Sequence, residues 1–262
     1  MKRIVGSGWE ELSDWYDKKE GDEGDLWHRA LIDPPLIKIV GNCRGRDVLD
    51  LGCGNGYLAR KFAKKGARVT AVDSSPRMIQ NAKAHDPENL LKVRYLQSDA
   101  GRLVAISEAC FDIVYANMSL MDMENAKGAI REVSRVLRRG GRFVASICHP
   151  CFDNGSNSGW IMEKSIGEPA KVFRRIRAYR SVSSERFPWR IRDWGFAYTV
   201  GFHRPINWYA NALGSNKLGI IRIEEPMPMK EFLVEETKNP SDLDALGSQE
   251  VPLHLVFEAV KL

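Results

Sequence analysis

Three glycines, Gly52, Gly54 and Gly56, stand directly behind the apolar run Val48-Leu49-Asp50-Leu51, and Asp73 ends the next apolar run 17 positions beyond Gly56. A strand that enters a glycine-rich turn and then a helix forms a cradle for an anion or a nucleotide, because a ligand can lie against backbone that carries no side chains. A carboxylate at the end of the second strand is placed to take both hydroxyls of a ribose. The spacing is G-x-G-x-G, not the G-x-G-x-x-G of a dinucleotide site, and no lysine of a phosphate-binding loop follows it. Asp50, two residues before the first glycine, and Asp99, after a third apolar run, complete a set of acidic residues at neighbouring strand ends.

Further chemistry lies elsewhere in the chain. His149 follows a fifth apolar run, at the edge of such a sheet where ligands bind, and can accept a proton near neutrality. His203 and Arg204, ahead of a later helix, can reach the same cleft. Cys148-His149-Pro150-Cys151 spells C-x-x-C, but no second pair is spaced for zinc, and a redox pair would open a helix in a different topology. We therefore expect no metal. Between Lys171 and Asp193 arginines, including Arg174, Arg177 and Arg192, interleave with Phe173, Tyr179, Phe187 and Trp189. That composition suits phosphate binding and base stacking, the capture of a small anion, or a solvated face.

The elements that must position these groups follow from the alternation of pattern. Residues 46–52, 67–73, 93–99, 111–120 and 142–149 read as strands. The segments 57–66, 74–85 and 124–141 read as helices, the second capped by Ser74 or Ser75 with Pro76 in its first turn, the third stopped by Gly140-Gly141. Apolar strands alternating with amphipathic helices predict a parallel sheet with helices on both faces. Residues 218–226 and 252–262 read as two closing strands, an antiparallel edge hairpin joined by a long polar loop. The segment 26–40 reads as a helix interrupted by Pro34 and Pro35.

The chain has 262 residues, a net charge of +5, 44% hydrophobic and 28% charged residues, values of an ordinary globular protein with one domain and an insertion. No apolar run is long enough to cross a membrane, and the first residues lack the apolar core of a signal peptide, so a cytoplasmic location is expected. Five cysteines at irregular spacing argue against a disulfide framework.

With these motifs the sequence resembles the class I S-adenosylmethionine-dependent methyltransferases, most clearly over residues 46–150. The resemblance implies an α/β, Rossmann-like methyltransferase fold: a mostly parallel seven-stranded sheet, helices on both faces, an antiparallel edge hairpin and a substrate-side insertion. It implies S-adenosyl-L-methionine as cofactor, its methionine part wrapped by Asp50, Gly52, Cys53, Gly54 and Gly56, its ribose held by Asp73 beside Ser74, its adenine by Asp99 and Ala100. Asn117 and Met118 would face the methyl donor. The proline and aromatic residues typical of adenine-amine methyltransferases are absent after Asn117, which argues against a nucleobase amine acceptor. In related enzymes an N-terminal segment closes over the cofactor; here Tyr16 would border the methyl group and Trp27, His28 and Arg29 would meet the cofactor carboxylate.

The expected organisation is a helical cap over residues 1–45, a cofactor-binding core over 46–150, an acceptor-shaping insertion over 151–200 and closing elements over 201–262. The expected activity is in-line methyl transfer to a small, negatively charged acceptor, with His149 and Tyr16 as catalytic groups and His203, Arg204, Arg174 and Arg177 on the acceptor. A transfer RNA or ribosomal RNA acceptor, or a cofactor-binding protein without transferase activity, are the alternatives. Neither the oligomeric state nor the methylated atom follows from the sequence.

Overall fold

The computed structural model describes residues 8–165, 167, 171–191, 195–228, 247 and 250–262. Arg192, Asp193, most of the polar loop before the last strand and residues 1–7 lie outside the described residues. The centre is a seven-stranded sheet of β1 (Asp47–Leu51), β2 (Arg68–Asp73), β3 (Arg94–Gln97), β4 (Phe111–Asn117), β5 (Leu137–Cys148), β10 (Leu218–Glu224) and β11 (His254–Lys261). Their spatial order is β10-β11-β5-β4-β1-β2-β3. β1 pairs in parallel with both β2 and β4, so the order reverses at β1, which is where ligands bind in sheets of this kind. Only β11 runs against its neighbours, forming the expected antiparallel edge with β10.

Helices cover both faces because the central strands, β1, β4 and β5 among them, are apolar on both sides. α2 (Asp33–Val40), α3 (Tyr57–Lys64) and α4 (Pro76–Ala84) bury Leu36, Leu58, Phe62 and Ile79 on one face. α5 (Ala126–Val136) and α6 (Ile206–Ser215) bury Ile130, Val133 and Leu213 on the other. Ser75 caps α4 by accepting the Met78 N–H at 2.9 Å, with Pro76 in the first turn.

One local expectation is corrected. Helix α5 stops at Val136, not at Gly141, and Leu137 already pairs with Phe111 in the sheet. The extended chain is fixed from a distance: Arg138 pairs with Asp47 and Asp112, both at 2.9 Å. The segment 26–40 is helical throughout, and the expected interruption is a single π turn at His28–Ile32 directly before Pro34 and Pro35, which lie in the first turn of α2.

Over the sheet lie α1 (Trp9–Glu20) and two hairpins, β6 (Ser158–Glu163) with β7 (Lys171–Ile176), and β8 (Ser183–Ile191) with β9 (Gly195–His203). α1 is tied to α4 by Arg77 on Asp14 at 2.6 Å and by the Ser75 hydroxyl on Glu10. It is tied to the second hairpin by Trp189, whose ring lies 5.6 Å from Trp9, 5.7 Å from Trp15 and 6.4 Å from Tyr16. Trp189→Ala removes these ring contacts, worth ~2–3 kcal/mol together. Limited proteolysis read by mass spectrometry is expected to cut the β8–β9 hairpin about ten-fold faster or more in that variant, with little change in the melting of the sheet. Equal cleavage rates would contradict the clamp.

Candidate functional site

The turn after β1 is built from left-handed glycines, Gly52 at φ +78°, Gly54 at +53° and Gly56 at +73°. The Gly52 and Cys53 N–H groups both donate to the Val72 carbonyl, at 2.8 and 2.9 Å, so the turn is sewn to the end of β2. The glycines serve different needs. A Cβ on Gly52 would lie 2.6 Å from the Ser119 Cβ, and one on Gly56 would lie 2.8 Å from the Tyr95 ring. A Cβ on Gly54 would meet nothing within 4 Å, because that backbone borders a cavity.

This cavity has a volume of about 570 Å³, in the range of small-ligand sites, and is lined by Asp50, Gly54, Asp73, Asp99, Asn117 and Met118 among others. Asp73 accepts the Gly54 and Ser75 N–H groups, both at 2.9 Å. Burial pushes its carboxyl upward against these backbone donors. Asp50 accepts the Tyr115 hydroxyl at 2.7 Å and meets no cation among the described residues. Burial holds its pKa at about 8 despite that hydrogen bond. Asn117 is fixed on every side: its amide N–H groups donate to Asp33 at 3.1 Å and Tyr57 at 3.0 Å, and its carbonyl accepts from Ser146 at 2.6 Å. Met118 follows in a left-handed conformation, φ +49°, with its N–H on the Ser146 hydroxyl at 2.9 Å.

A second, more apolar cavity of about 460 Å³ lies between α1, the β8–β9 hairpin and the end of β5. Trp9, Tyr16, His28, Met118, Asp122 and Phe202 line both cavities, so the two adjoin. Asp122 accepts the Trp9 indole N–H at 3.0 Å, and burial raises its pKa to about 7 against that bond and the charge of Arg204.

The sequence-predicted residues divide accordingly. The first cavity gathers Asp50, Gly52, Cys53, Gly54, Asp73, Ser74, Asp99, Ala100, Asn117, Met118, Tyr16 and His28. Gly56 is instead the left-handed start of α3, packed under Tyr95. Trp27, His203 and Arg204 line the second cavity. Arg29 is exposed and lines neither, because it follows His28 on the outer side of the π turn.

His149 is displaced from the expected role. It lines neither cavity, is buried, accepts the Cys151 N–H on Nδ1 at 3.1 Å and turns Nε2 to Glu225 at 2.9 Å, so both ring nitrogens are engaged. Arg174 and Arg177 also lie off both cavities. Arg174 donates to the Phe152 carbonyl at 2.8 Å and to the Ser158 hydroxyl at 3.0 Å with its guanidinium over Trp160, and Arg177 donates to Asn157. They brace the β6–β7 hairpin. Sequence reasoning misses Asp25, Asp122 and Phe202. Asp25 stands three residues before His28, a spacing that signals a helix-start carboxylate, and Asp122 is an acid in the apolar run after β4.

Residues 49–145 match the family model described as a methyltransferase domain. The ubiquinone biosynthesis O-methyltransferase of Alkalilimnicola ehrlichii is 31% identical over 138 residues, 51% of this chain and 54% of that protein. The demethylmenaquinone methyltransferase of Tropheryma whipplei is 33% identical over 129 residues, 47% of this chain and 49% of that protein. The chain thus spans about half the length of the curated relatives it matches. The crystal structure of an S-adenosylmethionine-dependent methyltransferase from Mesorhizobium loti superposes with a TM-score of 0.69 at 26% identity, covering 92% of this chain and all of that one. Residues 49–145 are thus similar to a methyltransferase domain, and the Rossmann-like sheet is similar to that of a methyltransferase whose cofactor is S-adenosylmethionine. The residues present fit that cofactor. Gly54 leaves open space that any side chain would fill, and Asp50 is a buried carboxyl lacking the cation that an amino-acid ammonium would supply.

Two expectations follow. Alanine at any of the three positions strains a left-handed backbone, but Gly52→Ala and Gly56→Ala also collide with a packed neighbour and should destabilise the fold more than Gly54→Ala, whose Cβ meets no protein atom and enters ligand space; thermal melts with and without S-adenosylhomocysteine separate the two. Asp50 ionises at about 8 in the folded chain against the ordinary aspartate value of 3.8, so the folded state holds the extra proton and stability falls as pH rises across that window. Asp50→Asn removes that fall. Its melting temperature should exceed that of the parent by several degrees at about pH 8 and by less at about pH 5, while the stabilisation by S-adenosylhomocysteine shrinks. A parallel pH course in the two proteins would contradict the assignment.

Proposed function

We propose that the protein transfers a methyl group from S-adenosylmethionine to a small acceptor with an apolar, ring-bearing body. The observation that carries this reading is the junction of the glycine-lined cavity with an aromatic one through Met118, where a donor on one side meets an acceptor on the other. Asp73 would hold the ribose hydroxyls, Asp99 the adenine amino group and the Asp50–Gly56 turn the methionine part. When bound, the cofactor supplies an electrophilic methyl group on a positively charged sulfur. The chain's own contribution is alignment and exclusion of water. Trp9, Tyr16 and Phe202 wall the junction, and the hydrogen bonds that lock Asn117 and Met118 hold its floor. Such positioning is worth roughly 7–11 kcal/mol of a displacement barrier.

The relatives whose names refer to ubiquinone and demethylmenaquinone support a ring-bearing acceptor. The insertion would shape the acceptor cavity through Phe187 and Trp189, beside Phe202 from the segment that follows it. A polar or anionic group of the acceptor would meet Arg204, not the expected Arg174 and Arg177. The Arg204 guanidinium is held between the rings of Phe202 and Trp208, and its buried Nη1 has no hydrogen-bond partner among the described residues. Free cysteines are in keeping with the reducing cytoplasm, and no described helix is long and apolar enough to cross a membrane.

Calorimetry with S-adenosylhomocysteine tests the cofactor half. Asp73→Ala should lose ~1.5–3 kcal/mol of binding, the worth of hydrogen bonds to a charged group. Unchanged affinity would remove Asp73 from the site. Titration with bulk transfer RNA at two salt concentrations tests the acceptor half. Tight, steeply salt-dependent binding with methyl incorporation into the RNA would overturn the small-molecule reading.

A further inference from the structure

Resting on that proposed function, we infer that His28, backed by Asp25, is the general base of the reaction, and that the acceptor group is therefore a hydroxyl on an aromatic ring. The sequence DLWH places Asp25 three residues ahead of His28. One Asp25 oxygen accepts both the His28 backbone N–H at 2.9 Å and its ring Nδ1 at 2.8 Å. The same carboxylate thus starts the π turn and fixes the imidazole, with Nδ1 as donor. Lys19 pairs with the other Asp25 oxygen. The ring packs edge-on against Tyr57 at 5.8 Å, and Tyr57 is itself held by Asp33. Nε2 has no hydrogen-bond partner among the described residues, and His28 lines both cavities. A carboxylate on one ring nitrogen and a free lone pair on the other, at the junction of donor and acceptor sites, is the arrangement of a proton acceptor.

The groups that face the imidazole are Glu20 from α1, Asp25, Asp33 at the start of α2, Tyr57 from α3 and His254 from β11, while Tyr16 lines the same two cavities. Burial pulls the His28 pKa down, but the Asp25 hydrogen bond and the charges of Glu20, Asp25 and Asp33 outweigh it and leave it above the ordinary histidine value. The base is therefore active once the pH rises past that raised value. Only some acceptors need it. An amine attacks with a lone pair already available, whereas a neutral phenol must lose its proton as it attacks. The phenol O–H proton passes to Nε2, the oxygen bonds to the methyl carbon, and the electron pair of the broken carbon–sulfur bond stays with sulfur, which leaves as a neutral thioether.

The test uses the full chain loaded with S-adenosylhomocysteine and a series of nitrophenols, whose colour reports ionisation without turnover. In the parent protein a bound nitrophenol should ionise at least ~1 pH unit below its free value, with the proton held on the imidazole. In His28→Gln that shift should vanish, and in Asp25→Asn, which keeps the ring and an oxygen for the backbone N–H, it should shrink. Methyl transfer to phenols should fall in both variants and recover most for the most acidic phenols, which need no base. The proposal is overturned if no nitrophenol changes its ionisation in the parent, if His28→Gln preserves the shift while Asp122→Asn abolishes it, or if amines but not phenols accept methyl groups. S-adenosylhomocysteine binding, measured first by calorimetry, separates the two levels. Binding with an unperturbed phenol sinks only the base; absence of binding sinks the methyltransferase reading and the base with it.

Discussion

The whole site hangs on two backbone N–H groups, those of Gly52 and Cys53, sharing the carbonyl of Val72. That contact bends the chain out of β1 while holding it to the end of β2. With Gly54 donating to the Asp73 carboxylate, it makes the turn and the acidic residue one rigid unit. Left-handed backbone is required at Gly52, Gly54 and Gly56, which glycine adopts without strain, and at Gly54 the missing side chain also leaves the cavity side bare. Everything nearer the chemistry is placed from this unit: Ser119 bonds the Leu51 carbonyl at 2.6 Å, and the Met118 loop is thereby laid across the mouth of the turn.

Around that unit the protein keeps ionisable groups buried with too few partners. Asp50 is neutral at rest, Asp122 is poised near neutrality and Arg204 carries an unused donor. Each is costly in a folded chain without ligand, because a buried polar group that lacks a partner forfeits its hydration. Together they lie along the path from the first cavity to the second, so the cost falls where a ligand can repay it. The imidazole of His28 differs in having its carboxylate already in place.

Much of this is legible in the sequence. The glycine turn, Asp73 and the strand–helix alternation depend on local spacing, and the structure follows them. What escapes depends on residues far apart in the chain. Helix α5 ends early because Arg138 reaches Asp47 and Asp112. A place at a strand end points His149 into the cleft, but Glu225 lies across from it and takes its free nitrogen. The charge of Arg174 suggests an anion site, whereas the carbonyl of Phe152 and the face of Trp160 hold it away from the cavities. His28 lines both cavities and starts a π turn that no periodicity announces.

The central claim is that one ligand path runs from the glycine turn to the aromatic cavity through the Met118 junction. A crystal structure of the complex with S-adenosylhomocysteine tests it most directly. The account requires the ribose on Asp73, the amino-acid part over Gly54 and the sulfur facing the second cavity between His28, Asp122 and Met118. A homocysteine moiety turned away from that cavity, or a ligand bound without contact to Asp73, would contradict it.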